Sequence, residues 1–259
     1  MTKKIVAAYG ISVALLLVSM WCGISIGSVS VPISTLWDAE SNPTAYSILW
    51  NIRMPRVILA ALVGAALAIA GAAFQGLLKN PLADPYTLGI SSGASVGAVF
   101  TLFFGVSLPV FGFFTLPIFS MIGAFVTLVV VMGFARLVDR TMKMETLILT
   151  GIIFSSFLGS CISLMIALTG EELRSIMGWL LGSVSMRGWP YVKMILPFVL
   201  IGALILWLHR RELNAMIYGE ERAKYLGVDV KRSKYIILIG GSMLTGAAVA
   251  VSGTIGFVG

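Results

Sequence analysis

Charge is what this sequence has least of. Of its 259 residues only 11% are charged, against about a quarter in an ordinary soluble domain, and 58% are hydrophobic. Mean hydropathy is +1.00. A soluble chain this apolar would present far too much of it to water, so the class is integral membrane. Histidine is almost absent, with His209 alone. The two cysteines, Cys22 and Cys161, lie in apolar runs and form no disulfide or zinc spacing. One histidine and no carboxylate within the apolar runs leave little to hold a metal, and neither a metal nor a cofactor is expected. The same lack of buried carboxylates argues against a proton- or sodium-driven carrier, where such groups hold the ion. No phosphate-binding loop of the Walker type occurs, so ATP is not hydrolysed here by that route. The net charge of +7 comes without a basic stripe interleaved with aromatics, which argues against nucleic acid. Basic residues flanking membrane spans account for it better.

What is present is a series of long apolar runs. They predict seven spans, at 5–26, 57–78, 86–105, 116–135, 146–169, 191–208 and 235–252. The first could be mistaken for a signal peptide. Its charge-free run extends from Ile5 to Trp37 without a small-residue cleavage pattern, and an uncleaved span is the better reading. Tyr86 to Ala135 is fifty residues without a charge, and Pro109, Gly112 and Pro117 supply its break. With a cytoplasmic N-terminus, thirteen of the eighteen Lys and Arg residues fall on the inner side, and the positive-inside bias favours that orientation. The fold class is therefore all-α, a polytopic helix bundle, read as one membrane domain over 1–259.

The most legible stretch is a helical hairpin around the second span. Arg53 and Arg56 precede twenty-two charge-free residues, Val57 to Leu78, and a polar turn follows from Lys79 to Pro85. Asn80-Pro81 should stop the helix, because the residue before proline is driven out of helical geometry. Asp84 is placed to cap the next helix, with Pro85 in its first turn. Gly89, Gly93 and Gly97 recur every fourth residue, as do Gly64, Ala68 and Ala72, and small residues so spaced let membrane helices approach closely. The Gly89-Ile90-Ser91-Ser92-Gly93 run matches a serine-hydrolase elbow, but no strand precedes it and His209 lies in a distant element.

The fifth span carries Ser155, Ser156, Ser160 and Ser163, with Thr150 and Gly151 at its start. Such serines either bond back to their own helix or face water or substrate. After it, 170–190 has apolar residues at helical spacing and two amphipathic tryptophans, Trp179 and Trp189, and reads as a short external helix along the membrane. The most charged segment, His209 to Lys234, predicts one or two short helices broken at Gly219, with Glu220 and Glu221 able to pair with Lys224.

One motif series carries a resemblance. Arg53 and Arg56 around Pro55, Gly64-Ala65-Ala66-Leu67-Ala68, Gln75-Gly76, Asn80-Pro81-Leu82-Ala83-Asp84-Pro85 and Leu88-Gly89-x-Ser91-Ser92-Gly93 follow in one order. In that order they resemble the permease subunits of bacterial ABC importers for iron–siderophores, haem and cobalamin. The resemblance implies a transport subunit without enzymatic activity, working as a homodimer or pseudo-dimer. It would sit in the cell membrane with separate ATPase subunits below, and a substrate-binding protein would deliver the cargo from outside. It places binding-protein docking at Arg53 and Arg56 and a cytoplasmic gate at Asn80, Leu82, Met144 and Glu145. Met144 and Glu145 depart from the small polar residues of some relatives. It lines the pathway with the fifth span, Ser155, Ser156, Ser160 and Ser163. It assigns ATPase contact to Gly219, Glu220, Glu221, Ala223, Leu226 and Gly227. It also implies about ten spans, with Ile255-Gly256-Phe257-Val258-Gly259 followed by further apolar sequence, so that the chain reads as C-terminally truncated. The alternatives are a secondary transporter or channel independent of an ATPase, and an intramembrane hydrolase.

Overall fold

The computed structural model describes residues 2–27, 29, 31–36, 42–110, 112–139, 141 and 143–255. Among them there are helices and turns but no strand. Eleven α-helices follow in order: α1 (Thr2–Ser25), α2 (Pro43–Ser47), α3 (Met54–Leu78), α4 (Ile90–Phe103), α5 (Thr115–Val138), α6 (Met144–Leu168), α7 (Leu173–Leu180), α8 (Trp189–Leu208), α9 (Arg210–Ile217), α10 (Glu220–Tyr225) and α11 (Val230–Ser252). Among the described residues, six helical stretches are long and apolar enough to cross a bilayer. The expected third span differs. Its helix, α4, has 14 residues, about 21 Å at 1.5 Å per residue, against the ~30 Å of a hydrocarbon core. Residues 79–89 are turns instead. Another extension was not foreseen: the helix before Val57 starts at Pro43 and passes through one π turn, Ile48–Arg53.

The chain forms two compact units. The first is Met1–Ala61 with Val184–Lys193. Its small core is Val31, Ala45 and Leu49, with Ile24 and Ile48 packed against it. Trp189 donates its indole N–H to the Trp50 carbonyl at 2.8 Å, with the two rings 5.2 Å apart. Arg187 donates to the Tyr191 hydroxyl at 2.8 Å and lies over its ring.

The second unit is Leu62–Ser183 with Met194–Gly259. Its centre is α11, packed against α5 and α4. The α4 glycine stripe is a packing surface. A methyl group on Gly93 would meet Thr127 and Gly123, and one on Gly97 would meet Phe119, so α4 and α5 lie almost backbone to backbone. The stripe on α3 is used differently: Gly64 faces open space, and Ala68 and Ala72 are exposed. Of the segment 170–190, 173–180 forms α7, and Trp189 and Pro190 already belong to α8. Trp179 is not an interfacial residue there; it is 6% exposed, beside fully buried Ile176.

Candidate functional site

The interrupted stretch before α4 is built from hydrogen bonds that its own polar residues supply. Asn80 Oδ1 accepts from the Leu82 N–H at 2.9 Å. Asp84 Oδ1 accepts from the Tyr86 N–H and from the Thr87 hydroxyl, both at 2.9 Å. The expected helix cap is thus a turn organiser: Asp84 closes residues 84–87, and Gly89 begins α4 instead. Gly89 has φ 76°, a left-handed conformation that glycine adopts without a Cβ penalty. An added Cβ there would also sit 2.9 Å from Ser155 Oγ and 3.1 Å from the Gly151 carbonyl. Conversely, a Cβ on Gly151 would lie 2.6 Å from the Thr87 carbonyl. Non-helical backbone between apolar spans is therefore pressed onto the first half of α6. Such backbone is tolerated at membrane depth only where protein buries it or it lines a water-filled cavity. Leu88, Ile90 and Ser91 are buried, and the Tyr86 hydroxyl donates to the Ile255 carbonyl.

Asn80 is exposed and Leu82 is 89% exposed, the two ends of this turn that were expected at a gate. Met144 is half-buried and Glu145 exposed in the first turn of α6. The approach to that turn is held by Asp139. Its carboxylate accepts from the Thr141 hydroxyl at 2.7 Å, the Thr141 N–H at 2.9 Å and the Lys143 N–H at 3.2 Å. The Thr141 hydroxyl, then its N–H, hold the Asp139 carboxyl below its ordinary value of 3.8. The recorded contact between the two segments runs one step deeper than the expected gate residues, through Gly89, Gly151 and Ser155.

The four serines of α6 separate into two sets. Ser155 is half-buried against Gly89. Ser156, Ser160 and Ser163 share a different, exposed side. Ser156 bonds back to the Ile152 carbonyl and Ser160 to that of Ser156, both at 3.0 Å, so both hydroxyls hold their own helix.

The two arginines also separate. Arg53 is only 8% exposed. Its guanidinium donates to the carbonyls of Ile24 at 3.0 Å, Ser25 at 2.9 Å and Val29. These include the last carbonyls of α1, which a helix end leaves without partners. Arg53, expected at binding-protein docking, is thus placed as a clamp on the end of α1. Arg56 is exposed beside it, on a cavity of about 580 Å³ shared with Gly27, Val57 and Ala60.

The charged segment folds as two helices, broken where expected. Gly219, with φ 122°, separates α9 from α10, and Gly227, with φ 82°, ends the turn after it. Ala223 is fully buried, whereas Leu226 is 74% exposed and Glu221 lies on the surface. The ion pairing differs from the helical-spacing expectation. Glu220 Oε1 is 2.7 Å from the ammonium of Lys234, the fifth residue of α11. The geometry of a short helix explains it: the first residue of α10 points back at the element that follows. No Ser–His pair is formed by the elbow. Ser91 is buried in α4, and His209 Nδ1, between α8 and α9, lies 2.9 Å from the Ile205 carbonyl of α8.

A family model described as the FecCD transport family matches residues 15–259. The chain belongs to the FecCD transport family. It is 60% identical, over 98% of its length and 75% of the relative's, to the uncharacterized ABC transporter permease protein YvrB of Bacillus subtilis. To the cobalamin import system permease protein BtuC of Halobacterium salinarum it is 40% identical over 83% of its length and 57% of the relative's. The hemin transport system permease protein HmuU of Yersinia pestis is 37% identical over 91% of this chain and 70% of that protein. Among solved structures, a chain of an inward-facing metal-chelate-type ABC transporter matches with a TM-score of 0.83 and 30% identity, over 96% of this chain and 77% of that one.

This FecCD chain is accordingly a multi-pass membrane permease of the ABC importer class. Reading the sequence missed Tyr218 and Tyr225, 74% and 89% exposed around α10, because tyrosines in a charged loop carry no periodic signal. It also missed Tyr86 and Lys234, whose partners lie 169 and 14 residues away in the chain.

Proposed function

We propose that this chain forms half of the gated pathway of an ATP-driven importer, two copies or a copy and a close homologue enclosing it. The cargo is an iron–siderophore, haem or cobalamin handed over by an extracytoplasmic substrate-binding protein. The observation that carries this is the interrupted span: residues 79–89 and the short α4 laid against Gly151 and Ser155 of α6. A broken helix with non-helical backbone between spans is how transporters build a pathway wall that can move. The N-terminus lies on the cytoplasmic side, which puts Asn80, Leu82, Met144 and Glu145 at the inner gate and Arg56 at the outer mouth, facing the binding protein. The α9–α10 pair, with Tyr218, Tyr225 and Leu226 outward, docks a separate ATPase subunit. The exposed serine side of α6 faces the pathway.

The test is uptake of labelled ferric siderophore, haem and cobalamin in a strain deleted for the gene, with and without the cognate ATPase. One cargo should be lost on deletion and restored by the gene only when the ATPase is present. Uptake that survives loss of the ATPase would replace this reading with a secondary carrier.

A further inference from the structure

Among the described residues Lys234 is the most deeply buried cation, 2% exposed, and the reading above gives it no role. A buried ammonium is costly unless it is paired at close range, and here Glu220 supplies the partner at 2.7 Å. The pair joins two elements of unlike character. α10 is a six-residue helix that ends in exposed Tyr225 and the exposed cap Leu226. α11 is a 23-residue helix with 78% of its apolar window buried. A second tie, from the Val228 N–H to the Ala223 carbonyl at 3.0 Å, closes the turn between them, and Asp229 caps α11 by accepting from the Arg232 N–H at 3.0 Å. Little slack separates α10 from the first turn of α11.

The far end of α11 is tied as firmly. The Ser252 carbonyl accepts from the Ser183 N–H at 2.6 Å, and the Thr254 hydroxyl donates to the Leu180 carbonyl. The Ile255 carbonyl accepts from the Tyr86 hydroxyl, inside the interrupted segment. Between the two ends run about 34 Å of continuous helix, packed against α4 and α5. A close-packed helix does not compress, so a displacement at one end appears at the other.

We propose that α11 is the rod by which α10 moves the interrupted segment, with the Glu220–Lys234 pair as its input joint and the Tyr86–Ile255 hydrogen bond as its output joint. This rests on α10 being the ATPase contact. It makes Glu220, Lys234 and Tyr86 positioning residues that act on the gate without touching cargo or nucleotide.

The experiment uses the whole permease–ATPase complex in proteoliposomes, with uptake and ATP hydrolysis measured together. Lys234→Met and Tyr86→Phe should each leave ATPase co-purification unchanged. Each should lower uptake per ATP hydrolysed about tenfold, within the ~5–150-fold span of a coupling between sites. The double variant should be no worse than the worse single one, because both cut one route. The exchanged pair, Glu220→Lys with Lys234→Glu, should recover most of the loss. Normal uptake per ATP in Tyr86→Phe, or losses that multiply in the double variant, overturns the rod. Should Lys234→Met be recovered only as aggregate, the exchanged pair and Tyr86→Phe carry the test. Leu226→Asp, at the end of α10, separates the rod from the reading beneath it. Unchanged co-purification in that variant overturns the ATPase contact itself, and the rod's input with it.

Discussion

α6 and α11 are nearly the same length, 25 and 23 residues, and both are apolar enough to span a membrane. Their fates are opposite. In α6 only 6% of the apolar window is buried, and in α11 it is 78%, although α6 is the more hydropathic of the two. Hydropathy thus identifies which segments enter the membrane and says nothing of which one the others pack around. Side-chain size decides that. α11 carries Gly240, Gly241, Gly246, Ala247, Ala248 and Ala250, which let α4, α5 and α8 come close. α6 keeps Ile152, Ile153, Phe157 and Leu164 outward, a side suited to lipid or to another chain.

The comparison breaks hardest at Gly241. A Cβ there would lie 2.5 Å from Cε1 of fully buried Phe74. Gly241→Leu should cost about 3 kcal/mol, the upper end for overpacking a core, and lower the melting temperature in detergent sharply. A Cβ added at Gly159 in α6 meets nothing within 4 Å, and Gly159→Leu should stay within about 0.5 kcal/mol of the parent. Equal melting temperatures would remove the distinction between the two helices.

A second contrast, between a committed and an available side chain, sharpens the first. Arg53→Ala leaves the carbonyls at the end of α1 without their donors, which should cost about 1–3 kcal/mol. Arg56→Ala should leave stability unchanged and weaken capture of the binding protein, an exposed charge pair being worth ~0–1 kcal/mol. Thermal melts of the two variants beside binding-protein pull-down at low salt separate the roles. Melts of Arg53→Ala that match the parent would return it to the docking surface.

These two arginines also mark how far the sequence could be read. Both were legible as charges before an apolar run, and the spans themselves fell within a few residues of the observed helices: 5–26 against Thr2–Ser25, 146–169 against Met144–Leu168. Length and hydropathy carry that information locally. What a side chain bonds to 24 to 29 residues away is not local, so the clamp on Ile24, Ser25 and Val29 had no trace in the pattern. The same holds for Glu220. Its helical neighbour Lys224 was the evident partner, and Lys234 prevailed because burial strengthens a pair that solvent at the surface screens. In the turn, Asn80-Pro81 did mark the end of a helix, but where the next one begins depended on Asp84 bonding forward to Tyr86 and Thr87 instead of capping. Gly89 was visible as one of a stripe, and only the fold distinguishes its contact with α6 from those of Gly93 and Gly97 with α5.

A smaller effect is expected from acid at the entrance to α6. The hydrogen bonds from Thr141 and Lys143 hold the Asp139 carboxyl below its ordinary 3.8 in the folded chain. A depressed folded value means that the carboxylate stabilises this loop above the unfolded value, and that the contribution is lost as pH falls through the folded one. Loop order followed by the amide signals of Thr141 and Lys143 should therefore persist to a pH below the ordinary range of an aspartate. Asp139→Ala should abolish that transition, while α11 remains unaffected by either change.

The least disruptive test asks what the exposed side of α6 faces. Ser156, Ser160 and Ser163 lie on it at helical spacing, next to Phe157 and Leu164 at 60% exposure each. Replacing any of these serines with cysteine changes little volume at a surface position, and stability should shift by no more than about 0.5 kcal/mol. The background needs Cys22→Ala and Cys161→Ala, because both native thiols are free. In the assembled importer, cysteines at 156, 160 and 163 should react with a membrane-impermeant maleimide, and excess cargo with binding protein should slow that reaction. Cysteines at 157 and 164 should react poorly if lipid covers them. The opposite pattern, with 157 and 164 labelled and the serine positions silent, would turn α6 around and move the pathway to another helix. Labelling at all five positions would put 157 and 164 on the water-filled pathway with the serines and overturn their assignment to lipid.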